Sequence, residues 1–77
     1  MIAPHWRGAA PRAGSFVRLV PQSGRSVLVC NDALETLGAA VLPLDPGGAV
    51  LNADVLADGR LHVGYLGPDA ASFTSPR

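Results

Sequence analysis

Apolar positions along this chain fall into short alternating or β-branched runs, and none sustains a helical period. The runs SFVRLV and RSVLVC are separated by PQSG. Pro21 suits the first central position of a turn and Gly24 a position of positive φ, so this pair predicts a hairpin. Its loop has three or four residues, and the pattern is compatible with both. The following NDALETLG predicts one or two turns of helix: Asp32 as cap, Glu35 completing a capping box, Gly38 as the stop. AAVLPL then predicts a strand, with Pro43 marking an edge or a bulge. DPGG leads into AVLNADVLA, and DG turns that run back into RLHVGYLG.

The register of this last hairpin follows from its polarity. A two-residue Asp58-Gly59 loop mixes polar and apolar side chains on both faces. A three-residue loop, Ala57-Asp58-Gly59, with Gly59 left-handed, puts Leu51, Ala53, Val55, Leu61, Val63 and Tyr65 on one face. The other face then carries Asn52, Asp54, Leu56, Arg60, His62 and Gly64. A one-residue slip would move every side chain across the sheet, so the clean apolar face selects the three-residue loop.

The expected fold is mainly β: a small antiparallel five-stranded barrel or sandwich with one short helical turn and flexible N- and C-terminal arms. Residues 1–14 read as a basic arm broken by Pro and Gly, 15–66 as a compact β domain, and 67–77 as a tail. The apolar face of the last hairpin is expected to form the core with the first hairpin.

With 77 residues, 48% hydrophobic and 16% charged, the chain is one small domain rather than a disordered segment. A core this short barely offsets the entropy of ordering the chain, and a single cysteine rules out an internal disulfide framework. Association with another copy or a larger surface is the natural remaining stabiliser. No run approaches the roughly 18 apolar residues of a membrane span, and the first residues lack the apolar stretch of a signal peptide. A cytoplasmic or virion setting is expected. Six arginines with no lysine, beside abundant Ala, Gly, Pro and Val, mark a GC-rich coding genome, bacterial or phage.

The net charge of zero conceals a division. Residues 1–30 carry Arg7, Arg12, Arg18 and Arg25 with no acid. Residues 31–77 carry Asp32, Glu35, Asp45, Asp54, Asp58 and Asp69 against Arg60 and Arg77. Such asymmetry suits a basic arm meeting an acidic surface, or the acidic half of a neighbouring copy.

Candidate chemistry is sparse. The chosen register sets Asp54 opposite His62, a geometry open to a carboxylate-oriented base or to a plain cross-strand pair. No local Ser or Thr joins them as a nucleophile. Cys30 precedes the expected helix start, which would activate a thiol; a small buried hydrophobe is the commoner role. His5, His62 and Cys30 lack metal-motif spacing, and the glycines of DPGGAV precede a strand where a phosphate loop opens a helix. No metal, no cofactor and no enzyme activity are expected.

Trp6, on the Pro-rich segment PHWR, suits docking on a partner, on a second copy or back on its own core. Leu56 and Leu66 are candidates for leftover apolar surface. Trp6, Arg7, Arg12, Arg18, Arg25, Leu56 and Leu66 are therefore the expected partner-binding residues. The arm 1–14 and the run GAAVLPLDPGGAVLNADVL resemble in general character the capsid-decorating proteins of tailed phages, though no motif matches residue by residue. Those proteins combine such an arm with a compact, β-rich, trimer-forming body, and the shared character favours an assembly role without assigning this chain to them. The expected function is a non-enzymatic assembly or interaction module. The alternative is a small barrel binding RNA or single-stranded DNA through the same arginines; an enzyme using His62 and Asp54 comes third.

Overall fold

A computed structural model describes residues 2–47 and 51–64. It is all β among these residues: β1 (His5–Trp6), β2 (Phe16–Pro21), β3 (Ser26–Cys30), β4 (Thr36–Val41), β5 (Leu51–Val55) and β6 (Leu61–Val63). They form one antiparallel sheet in the order β1-β4-β3-β2-β5-β6, curled into a half-barrel. Alternation drives the curl. Val17 and Leu19, Val27 and Val29, Ala40 and Leu42, Leu51, Ala53 and Val55, and Leu61 and Val63 all point inward and are buried. No helix long and apolar enough to cross a membrane is found among the described residues.

The last hairpin has the expected register. Asp54 faces His62 and Val55 faces Leu61. Leu56 N–H donates to Arg60 O at 2.7 Å and Gly59 N–H to Leu56 O at 2.9 Å, with Gly59 at φ 83°. Only glycine adopts that backbone without strain, and the turn follows from it. The first hairpin closes with Gln22 N–H donating to Ser26 O at 2.8 Å, leaving Ser23, Gly24 and Arg25 as its loop. Pro21 ends β2 opposite Val27 and is not a central turn residue. Its missing N–H costs nothing at a strand end.

The expected helical turn after Cys30 is absent. Asn31 outcompetes Asp32 as the organiser of this stretch: its Oδ1 accepts from Ala33 N–H at 3.0 Å and Glu35 N–H at 2.9 Å. Its Nδ2 donates to Glu35 Oε1 at 2.7 Å, so the glutamate completes an Asn-centred turn and no capping box. A one-turn helix fixes several residues for one hydrogen bond, whereas this turn reuses a single side chain three times. Consequently β4 starts at Thr36, includes Gly38, and ends before Pro43. The ladder irregularity falls at Val29/Cys30, not at Pro43.

The sixth strand comes from the segment that composition marks as an arm. His5 pairs with Ala39 and Trp6 with Gly38, while Ile2 bridges Leu61. Ile2 is buried and Trp6 packs on the core. The N-terminal segment thus touches both edges of the sheet and ties β4 to β6. Unpaired edges are a liability in any sheet, and this strap covers part of each. Tyr65, Leu66 and the tail 67–77 lie outside the described residues.

Candidate functional site

Alternation carries half of each strand outward, and the outer face holds most of the chemistry-bearing residues. Phe16, Asp54 and His62 lie in one cross-strand row, since Phe16 faces Asp54 and Asp54 faces His62. No hydrogen bond or ion pair joins Asp54 to His62, so the sheet brings the two together without building an oriented base. Arg18 stands two positions along β2 from Phe16 on the same face, and both are exposed. Cys30 is 2% exposed with no helix N-terminus after it, which leaves it the environment of a small apolar side chain. Among the described residues, no three His, Cys, Asp or Glu side chains converge in a way that could hold a metal ion.

The expected partner-binding residues are dispersed. Arg7 and Arg12 lie in the connection between β1 and β2, Arg18 is on β2 and Arg25 is in the first turn; all four are exposed. None takes part in an ion pair among the described residues. Leu56 is half-buried beside the last turn. Trp6 takes the option of docking on its own core, where its Nε1–H donates to Gly59 O at 2.9 Å. The side chain thereby couples the N-terminal strap to the last turn.

In that turn Arg60 Nε donates to Asp58 Oδ2 at 2.6 Å, the guanidinium forms an ion pair with the same oxygen, and Arg60 N–H donates to Asp58 Oδ1 at 3.1 Å. The side-chain hydrogen bond, followed by the backbone one, holds the Asp58 carboxyl below the ordinary carboxylate range. A carboxyl depressed in the folded state stabilises that state above its unfolded pKa of about 3.9. The contribution is lost as pH falls through the lower folded value. Asp58→Asn is therefore expected to lower the neutral plateau of a stability–pH curve slightly and to flatten its acid limb by the same small amount, because the group is solvent-exposed. Unchanged acid sensitivity in thermal melts of that variant would assign the limb to other carboxylates.

The feature that sequence reasoning missed is a groove. It has a volume of 1030 Å³ and lies where the N-terminal segment diverges from the end of β4. Ile2, Ala3 and His5 line it, with β3 from Ser26 to Leu28, β4 and its exit from Ala39 to Pro43, and Gln22 and Arg25 of the first turn. Leu42 N–H donates to Arg25 O at 2.8 Å, which anchors that turn to the groove. The same bond turns the Val41 N–H and C=O away from β3, by the alternation of an antiparallel ladder. The next rung toward the strap would pair Val41 with Ala3, yet pairing stops at His5–Ala39. The groove therefore combines apolar walls, an unused backbone rung, an arginine and a histidine, and among the described residues its lining contains no acid. Sequence order hides it, because residues 2–5, 22–28 and 39–43 meet only through the strand order. No known protein family matches the sequence, and no curated protein and no solved structure matches it.

Proposed function

We propose that this chain is a non-enzymatic assembly module that self-associates or docks on a larger protein surface. The observation supporting this reading is the outer side of the sheet, which no second layer covers among the described residues. On that side Phe16 is 73% and Val41 60% exposed, and in the loops at the strand ends Leu34 is 57% and Leu44 48% exposed. Phe16 and Val41 are the large apolar side chains that the uncovered strands offer to a partner. A virion accessory protein is one setting for such a module.

Solution molar mass by light scattering, at low salt and at about 0.5 M salt where charges are screened, tests the proposal. A defined oligomer at both salts is the expected result for an apolar interface; dissociation at high salt assigns the contact to the charge-divided halves. A folded monomer at both salts removes self-association. The juxtaposition of exposed Phe16 and Arg18 on β2 favours a second reading, binding of single-stranded nucleic acid by stacking and phosphate contact. It requires an affinity for an oligonucleotide that falls steeply with salt and is lost in Phe16→Ala.

A further inference from the structure

Two features sit at opposite ends of the β3–β4 hairpin. At one end is the groove, reached through Ser26–Leu28 of β3 and Ala39–Val41 of β4. At the other is the turn from Asn31 to Glu35, between Cys30 and Thr36. One β3 length separates them, roughly 15–20 Å. The turn presents Leu34, 57% exposed, flanked by the carboxylates of Asp32 and Glu35, which are also exposed. It is a built projection: Asn31 N–H donates to Glu35 O at 3.0 Å and Leu34 N–H to Asn31 O at 2.9 Å, beside the three side-chain bonds of Asn31. Leu34 adopts φ 62°, a region that costs a leucine strain which a glycine would avoid.

We propose that the groove of one copy receives the Asp32–Glu35 turn of a second copy, with Leu34 seated among the apolar walls and the two carboxylates facing Arg25 and His5. The inference rests on the assembly reading above and names its interface. Charge complementarity carries it: among the described residues the groove lining holds the Arg25 cation and the hydrogen-bonding His5 ring without an acid, and the turn holds two acids without a base. Shape follows the same sense, an exposed apolar knob against an open apolar cleft. Knob and groove belong to different patches of the same surface, so the contact is heterologous and propagates head to tail. It closes into a ring or continues as a filament according to the rotation between copies.

Two variants of the full chain test it. Leu34→Gly removes the knob and suits the backbone of its site, so folding is retained. Arg25→Glu reverses the charge of the groove at an exposed position. Each alone is expected to weaken self-association about tenfold or more, the scale of one interface anchor. Mixed together they are expected to form a one-to-one heterodimer and nothing larger. In that dimer the intact knob of Arg25→Glu fills the intact groove of Leu34→Gly. Far-ultraviolet circular dichroism confirms that both variants are folded. An oligomer unchanged in both variants overturns this interface while leaving self-association in place. A wild-type monomer at all concentrations overturns both. Loss of association in each variant without rescue on mixing overturns the head-to-tail geometry.

Discussion

Gly38→Val is expected to detach β1 and to lower folding stability by about 2–3 kcal/mol, the cost of forcing atoms into a filled space. A Cβ at Gly38 would lie 2.5 Å from the His5 carbonyl oxygen, and 3.0 Å from both Trp6 Cα and Trp6 Cε3. Two of those three atoms are backbone, so no rotamer change relieves the contact. The strap must lift or the sheet must open. A chain of this length has roughly 4–12 kcal/mol of total stability, so the loss is a large share of it. Urea denaturation measures the effect, and amide exchange locates it. The Arg7 and Leu61 amides, which donate to Leu37 O at 2.8 Å and to Ile2 O at 2.7 Å, should lose protection before the amides of β2 and β3. Retained protection at Arg7 and Leu61 would mean that the sheet absorbs the methyl groups elsewhere and that β1 is not held by this close approach.

Trp6→Ala is the second large effect, expected to cost about 2–3 kcal/mol through lost burial of a half-buried ring and the lost bond to Gly59 O. For a domain of this size each kcal/mol lowers the melting temperature by about 4–8 °C. Trp6→Phe separates the contributions: it keeps ring packing, removes the N–H donor and should cost about 1 kcal/mol. If alanine costs no more than phenylalanine, the ring is a spectator and the hydrogen bond alone couples strap to turn. Combining Trp6→Ala with Gly38→Val should give less than the summed loss, because both act by releasing the same strap. Full additivity would show that Trp6 and Gly38 act independently.

Both predictions concern residues whose importance is invisible along the chain. Gly38 sits where a helix stop belongs by local pattern, three residues after a glutamate and next to two alanines. Its role depends on β1 crossing β4 there, a contact between positions far apart in sequence. Trp6 stands among prolines, glycines and alanines, where a two-residue strand leaves no periodic trace. Ile2 and Trp6 have value only because the two sheet edges come near enough for one segment to touch both. Local propensity says nothing about that distance.

The turn after Cys30 illustrates a different limit. Asn31, Asp32 and Glu35 supply two competing solutions, an Asp-capped helix and an Asn-centred turn. Alternation in the following residues decides for the turn: Gly38, Ala40 and Leu42 are buried while Ala39 and Val41 are exposed. Five residues between caps cannot recover the cost of starting a helix, whereas extending β4 buries an apolar row.

The sequence by itself determined the class of fold, the two hairpins and the face that each strand of the last hairpin buries. Those depend on period-two alternation, on glycines in positive-φ positions and on the penalty for slipping a register, all local quantities. Tertiary structure decided the strand order, the recruitment of residues 2–6 as a strap, the strand role of Gly38 and the groove beside Val41. Each arises from edges of one curled sheet meeting across long sequence separations, and it is the burial of those edges, not any local preference, that selects the arrangement.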